Sequence, residues 1–363
     1  MIRPILLKGH ERPLTQVKFN VDGDILFSVS KDQEASVWYS SNGERIGTLN
    51  GHKGTIWSID VDQNTDYVIT ASADFTGKLW KAQTGECIYT WNFEAPAKRV
   101  EFNPESNRAL FVTDEVMGQI GTIKIFPIDH TKSEQASTPE IEIKNDKGVS
   151  ARFTVAAWGY GGSTIVAGHA NGEITKWDVK TGACLGRVKA HEMQVTDIQM
   201  AQDKTYFITS SKDKSAKLYD VDNLELLKTY TSDAPLNTAC ITPVKDFVIL
   251  GGGQDARDVT TTAAAEGKFE AKIHHKIFQD EIGRVKGHFG PLNYIAVHPQ
   301  GTAYASGGED GYIRLHHFPK SYFDFQYDVE KTAKAARQQE LERQKEEEEE
   351  TKGNEPAAVS ASA

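Results

Sequence analysis

Four segments of this chain keep the same three internal spacings, and that agreement is the strongest constraint on how it can fold. A Gly-His dipeptide recurs at Gly9-His10, Gly51-His52 and Gly287-His288, with Ala190-His191 as a variant. Twenty-eight residues after each His stands a ring: Trp38, Trp80, Tyr219 and His316. Six residues before each ring is an aspartate, Asp32, Asp74, Asp213 or Asp310, and four before each aspartate is a hydroxyl, Ser28, Thr70, Thr209 or Ser306. Even the opening phrase repeats, as KGHERPLTQV at 8–17 and KGHFGPLNYI at 286–295. A fixed period of this kind is the signature of one supersecondary unit stacked on copies of itself.

Three more units complete the array. AGHANGEITKWDV places Trp177 forty-two residues before Tyr219, the interval that also separates Trp38 from Trp80. There Asn171 replaces the aspartate, Ala167 the hydroxyl and Val149 the histidine, so the polar set is expected to be lost. RVEFNPESNRALFVTD with GTIKIFPID reads as three strands, and NTACITPVKDFVILGGG with GKFEAKIHH as three more around the insert QDARDVTTTAAAE. Within the units, runs such as TIWSIDV, YVITAS and GKLWKA cluster β-branched and aromatic residues between Asp, Gly and Asn turn signals. Four short antiparallel strands per unit, seven times over, describe an all-β, seven-bladed β-propeller. Radial repetition also explains how more than 300 residues avoid dividing into domains.

The reading assigns residues 1–326 to the propeller, 327–350 to a charged helical tail and 351–363 to a disordered end. Because the first and last phrases open the first and seventh blades, Ile2 to Leu7 has no earlier strands to join. It is expected to close the ring as the outer strand of the last blade, beside LHHF.

The recurring polar residues have a structural task. A His on the edge loop can bridge the Asp and the Ser or Thr hydroxyl, which in turn accepts from the indole N–H. A missing member would leave a desolvated polar group at a cost of about 1 to 3 kcal/mol, so His10, His52, His191 and His288 are expected to hold blades together rather than to catalyse. Tyr219 is expected to replace the indole in its unit, and His316 to do so as one tautomer.

Formal net charge is -10, and the tail from Glu330 onward holds nine acids against six bases, so the body is itself acidic. That disfavours strong direct nucleic-acid binding. There is no run of eighteen apolar residues, and MIRPILLKGHERP turns charged before a signal-peptide core develops, which favours a soluble cytoplasmic protein with no membrane contact. Cys87, Cys184 and Cys240 lack CxxC spacing and are expected to be buried small hydrophobes. Gly251-Gly252-Gly253 follows a strand but precedes neither GK[ST] nor a helix, so no nucleotide site is expected. His274-His275 and His316-His317 point to opposite faces of strands and cannot readily chelate one metal. No cofactor, metal or catalytic residue is assigned.

These units resemble the WD-repeat propellers. Within that group, LGGGQDARDVTTT and GKFEAKIHHKIFQDEIGRVKGHFGPLN, with SGGEDGYIRLHHF, resemble the i-subunit family of eukaryotic translation initiation factor three over about residues 1–328. The resemblance implies a non-catalytic scaffold subunit that docks the b and g subunits for mRNA scanning and start-codon selection on the small ribosomal subunit, and no homo-oligomer. It also implies that Asp203 and Asp220 meet basic groups on a C-terminal helix of the b subunit. The competing readings are a WD-repeat adaptor of another assembly, such as a signalling or ubiquitin-ligase receptor, and an enzyme with substrate at the central channel.

Overall fold

The structure is a computed structural model, and it describes residues 3–144 except 117 and 119, residues 151–254 and 269–329, and the tail positions 331, 332, 337 and 343. Seven four-stranded antiparallel sheets span residues 14–49, 56–92, 97–144, 153–189, 195–231, 236–286 and 292–317, the last completed by the strand Ile5–Leu7. The first strand of each sheet touches the first strands of two neighbours in an unbroken circle, which makes it the inner strand of a propeller blade. Ile5–Leu7 pairs antiparallel with Ile313–His317 in the register Leu7 to Ile313 and Ile5 to Leu315, so the ends of the ring are stitched together by main-chain hydrogen bonds. The strand is shorter than the sequence suggests, and Leu7, opposite Ile313, is 2% exposed.

The apolar core lies between blades. One cluster joins Leu14, Val17 and Trp38 of the first blade to Tyr294, Ala305 and Leu315 of the seventh, and others join successive neighbours in the same way. No blade can bury both its faces alone, so each stabilises the next.

Every inner strand also carries a β-bulge at its second residue. A bulge re-aims the side chain at the extra residue. Here it turns Thr15, Thr154, Thr196, Asn237 and Asn293 towards the next blade, where each donates to the first carbonyl of the neighbouring inner strand, those of Ile56, Val195, Leu236, Leu292 and Leu14. The corresponding residues of the second and third blades are Trp57 and Lys98, so this ring of bonds is interrupted there. The sequence reading did not find this ring.

Two expectations need correction. The third blade has four strands, because Ile141–Lys144, inside what reads as an insert, pairs with Thr122–Pro127. In the sixth blade Glu281–Lys286 supplies the fourth strand, while residues 255–268 of its insert lie outside the described residues. The chain after His317 forms a separate compact unit, in which Lys320–Asp324 is a short helix. Most of the expected helix at 327–350, and all of 351–363, fall outside the described residues.

Candidate interaction surfaces

The polar side chains singled out by spacing converge inside the blades. In the first blade His10 Nδ1 lies 2.8 Å from the Asp32 carboxylate and its Nε2 lies 2.8 Å from Ser28 Oγ, to which the Trp38 indole N–H donates at 2.8 Å. The second blade repeats this with His52, Asp74, Thr70 and Trp80 at 2.9, 2.7 and 2.8 Å. The aspartate also accepts the N–H of the residue after the histidine, Glu11 or Lys53, which ties the edge loop to the turn. Against the penalty of burial, the bonds from His52, Thr76 and the Lys53 N–H hold the Asp74 carboxyl well below the usual carboxylate range. The glycine before the histidine is required by packing. A Cβ on Gly9 would sit 2.6 Å from the Trp38 ring.

The other blades depart from this plan. In the fifth, His191 bonds Asp213 at 2.9 Å and Thr209 at 2.8 Å, but Tyr219 does not take over the indole's bond: it stacks on Phe207 with centroids 5.8 Å apart. Its hydroxyl is pushed up to about 12, chiefly by burial. In the seventh, His288 Nδ1 lies 3.0 Å from the Asp310 carboxylate and Nε2 lies 2.8 Å from Ser306 Oγ, while His316 stacks on Tyr304 at 4.6 Å with its ring almost parallel. The fourth blade, expected to have lost its polar set, has a different one. His169, at the end of the second strand, bonds Thr175 at 2.8 Å, and the Trp177 indole donates to the same hydroxyl at 2.7 Å. The other His169 nitrogen, Nδ1, lies 2.8 Å from the Ala151 carbonyl. The only sequence signal was a histidine inside AGHANG, twenty residues after Val149, where the usual register places it.

With these histidines and acids engaged within their blades, the remaining motifs have ordinary explanations. A Cβ on Gly252 would lie 2.1 Å from the Pro235 carbonyl oxygen, so the glycine run serves a close backbone approach. Among the described residues no group of three or more His, Cys, Asp or Glu is placed to hold a metal. Cys240 is buried, but Cys87 and Cys184 are exposed because each opens an outer strand, at the periphery of its blade.

Asp203 and Asp220 lie at one end of the fifth blade. Asp203 occupies the turn before Tyr206–Ser211, and Asp220 ends the neighbouring strand directly opposite Tyr206. Each carboxylate spends its Oδ1 on local backbone, Asp203 on the Thr205 N–H at 3.2 Å and Asp220 on those of Asp222 and Asn223 at 2.8 and 3.1 Å. Asp203 lines a cavity of about 480 Å³ with Met200, Tyr206, Ile241 and Pro243; Asp220 does not reach it. Two acids at one end of a blade, one of them on a groove of mixed polar and apolar lining, suit a basic amphipathic segment.

The EIF3I family model matches residues 2–328. Among curated proteins, eukaryotic translation initiation factor 3 subunit I of Kluyveromyces lactis is 57% identical over 347 residues, covering 94% of this chain and all of that protein. The subunit I of Meyerozyma guilliermondii is 59% identical over 343 residues, with 92% and 98% of the two chains covered. That of Candida albicans is 57% identical over 346 residues, with 92% and 99% covered. Since the match runs through every blade of the propeller and on to residue 328, the chain belongs to the family of eukaryotic translation initiation factor 3 subunit I.

Proposed function

We propose that this protein is a non-catalytic scaffold subunit of eukaryotic translation initiation factor 3. It holds a C-terminal helix of the b subunit, and with it the g subunit, in a fixed relation on the small ribosomal subunit of the cytoplasm during scanning and start-codon selection. Family membership supports the role in initiation. The observation that carries the docking reading is the pairing of Asp203 and Asp220 at one end of the fifth blade, each with an unspent carboxylate oxygen, beside a groove lined by Met200, Tyr206, Ile241 and Pro243. Apolar anchors in such a groove supply most of the affinity of a docked helix, and flanking acids set its orientation.

The propeller suits this work because its ring is closed by main-chain hydrogen bonds between the first strand and the seventh blade. Backbone bonds fix the two turns that carry the acids: the Ala201 and Lys204 N–H groups donate to the Tyr206 and Ala201 carbonyls, and those of Asp220 and Val221 donate to the Glu225 and Thr205 carbonyls. The test is to measure binding of a recombinant C-terminal fragment of the b subunit to the Asp203→Lys, Asp220→Lys double variant. Affinity should fall by about tenfold or more, equivalent to about 1.4 kcal/mol, while the melting temperature stays near that of the parent. Unchanged affinity would remove both acids from the site.

A further inference from the structure

We propose that the mouth of the central channel, at the end where each inner strand turns into the second strand of its blade, receives an acidic side chain of a partner polypeptide. The site does not depend on the docking role argued above. A cavity of about 720 Å³ opens there, lined by turn residues of six blades, from Val21 in the first to Pro299 in the seventh. Its volume falls within the range of ligand pockets.

The floor of this cavity has more hydrogen-bond donors than acceptors to receive them. Arg99, on the inner strand of the third blade, reaches across the channel and donates from Nη2 to the Tyr294 hydroxyl of the seventh blade at 3.2 Å. Its Nη1 is 3.6 Å from Asp197, too long for a hydrogen bond, and its buried Nε has no hydrogen-bond partner. Asp197 cannot close that gap cheaply, because its oxygens already accept from the Ile198 N–H at 3.0 Å, Gln199 at 2.9 Å and Thr238 at 2.8 Å. Asp60 is likewise filled, by Lys18 at 3.0 Å and the Phe102 N–H at 2.8 Å. Glu101 receives the Trp158 N–H at 3.3 Å and lies 3.7 Å from Lys204. Asp60 and Asp197 are therefore committed, and Glu101 and Asp203, which also lines the cavity, each keep one carboxylate oxygen, whereas Arg99 retains most of its five N–H groups and Lys18 has one carboxylate for three. Formal charge is nearly balanced, but the unmet hydrogen bonding is on the donor side. A planar carboxylate is the group that a guanidinium edge satisfies with two parallel bonds.

The rim points to a polypeptide rather than a small acid. Val21 is 55% exposed and Tyr160 is 71% exposed, and both line the cavity, as does Pro104. A free small carboxylate would leave these apolar surfaces in water. A peptide with apolar residues flanking a Glu covers them as the carboxylate descends to Arg99, and the buried apolar area then adds to the charged bond.

The experiment uses the full chain and two fluorescein-labelled, C-amidated peptides, Gly-Leu-Phe-Glu-Leu-Phe-Gly and the same sequence with Gln at the centre, read by anisotropy. The Glu peptide should bind at least tenfold more tightly than the Gln peptide. Arg99→Lys should reduce that preference below threefold. Tyr160→Ser, at a largely exposed position, should weaken both peptides at least threefold, keep the preference and leave the melting temperature near that of the parent. Equal binding of the two peptides to the parent protein, an undiminished preference in Arg99→Lys, or no effect of Tyr160→Ser would each overturn the proposal. Displacement of the Glu peptide by an equal concentration of succinate would also overturn it, since the site would then belong to small carboxylates.

Discussion

The guanidinium of Arg314 approaches Nδ1 of His288 at 2.6 Å while also pairing with the Asp310 carboxylate at 2.8 Å. A guanidinium has no lone pair to offer, so Nδ1 must accept and the imidazole proton must sit on Nε2, from which it donates to Ser306; the 3.0 Å approach of Nδ1 to Asp310 is then no hydrogen bond, the carboxylate being held by Arg314 and the Phe289 N–H instead. In the second blade the proton is placed the other way: the Asp74 carboxylate takes the Nδ1–H of His52, and Nε2 accepts from the Thr70 hydroxyl, itself held by the Trp80 indole. The seventh blade can invert the relay because no indole donates to Ser306. Nitrogen-15 shifts of the two imidazoles at neutral pH should therefore place the proton on Nε2 in His288 and on Nδ1 in His52. The same tautomer in both would refute the inversion.

Replacing His52 by Ala leaves the Asp74 and Thr70 bonding sites unmet in a buried setting, and unfolding in urea should show a loss of about 1 to 3 kcal/mol. His169→Ala should cost a similar amount, about 1 to 3 kcal/mol, because it removes one of the two bonds at the Thr175 hydroxyl and the imidazole bond to the Ala151 carbonyl. A neutral result for His169 with a costly one for His52 would mean that the fourth-blade relay carries no stability.

Acid should destabilise the fold before its carboxylates titrate. Burial, followed by the nearby His288, Arg314 and His317, pushes His316 down to about 4. Burial also lowers His169, His191, His274 and His288. A histidine held neutral in the folded state takes up its proton more readily when unfolded, so its stabilisation is complete above pH 6.5 and is lost as pH falls towards 4. For His316 the full loss is of the order of 3 kcal/mol. Asp62 and Asp197, raised by burial, act in the opposite sense, which makes the difference between two proteins the informative measurement. His316→Phe keeps the stack on Tyr304 and should show a shallower fall of unfolding free energy from pH 6.5 to 4 than the parent. Parallel curves would rule out His316 as a source of acid sensitivity.

The seam can be probed through two adjacent residues of opposite facing. Leu7 is 2% exposed and belongs to the cluster shared by the first and seventh blades, whereas Leu6 is 43% exposed. Leu7→Ala should lower stability by about 2 to 5 kcal/mol, and Leu6→Ala should change it by less than about 0.5 kcal/mol. Equal, small effects in thermal melts would mean that the closing strand contributes little.

The architecture was legible because the relays impose fixed spacings on the chain, and a spacing survives where individual residues vary. That held for His10, His52, His191 and His288 and their partners, and it located the seam. The fourth-blade relay escaped because its histidine moved from the loop before the blade to the end of the second strand, so a search in the usual register finds Val149 instead. The ring of Thr15, Thr196 and Asn293 was visible as a small polar residue five positions after His10, His191 and His288, but its purpose depends on a bulge that a single sequence does not declare. The unmet donors at the channel floor were beyond reach for a different reason. Arg99 meets Tyr294 at a separation of 195 residues, and no local pattern marks such a pair.

The closing strand also orders events in time. Ile5–Leu7 is made about 300 residues before its partner Ile313–His317; in a free chain, joining segments that far apart costs about 5 kcal/mol by the logarithmic loop scaling. The intervening blades remove most of that cost, since each one added bends the chain further round towards its own beginning. Throughout synthesis Leu7 and the first-blade surface of Leu14 and Val17 lack their seventh-blade cover, an apolar liability on a nascent chain. Ring closure is then the step at which a vulnerable intermediate becomes a finished subunit, and a protein fused to the N-terminus would burden that step directly.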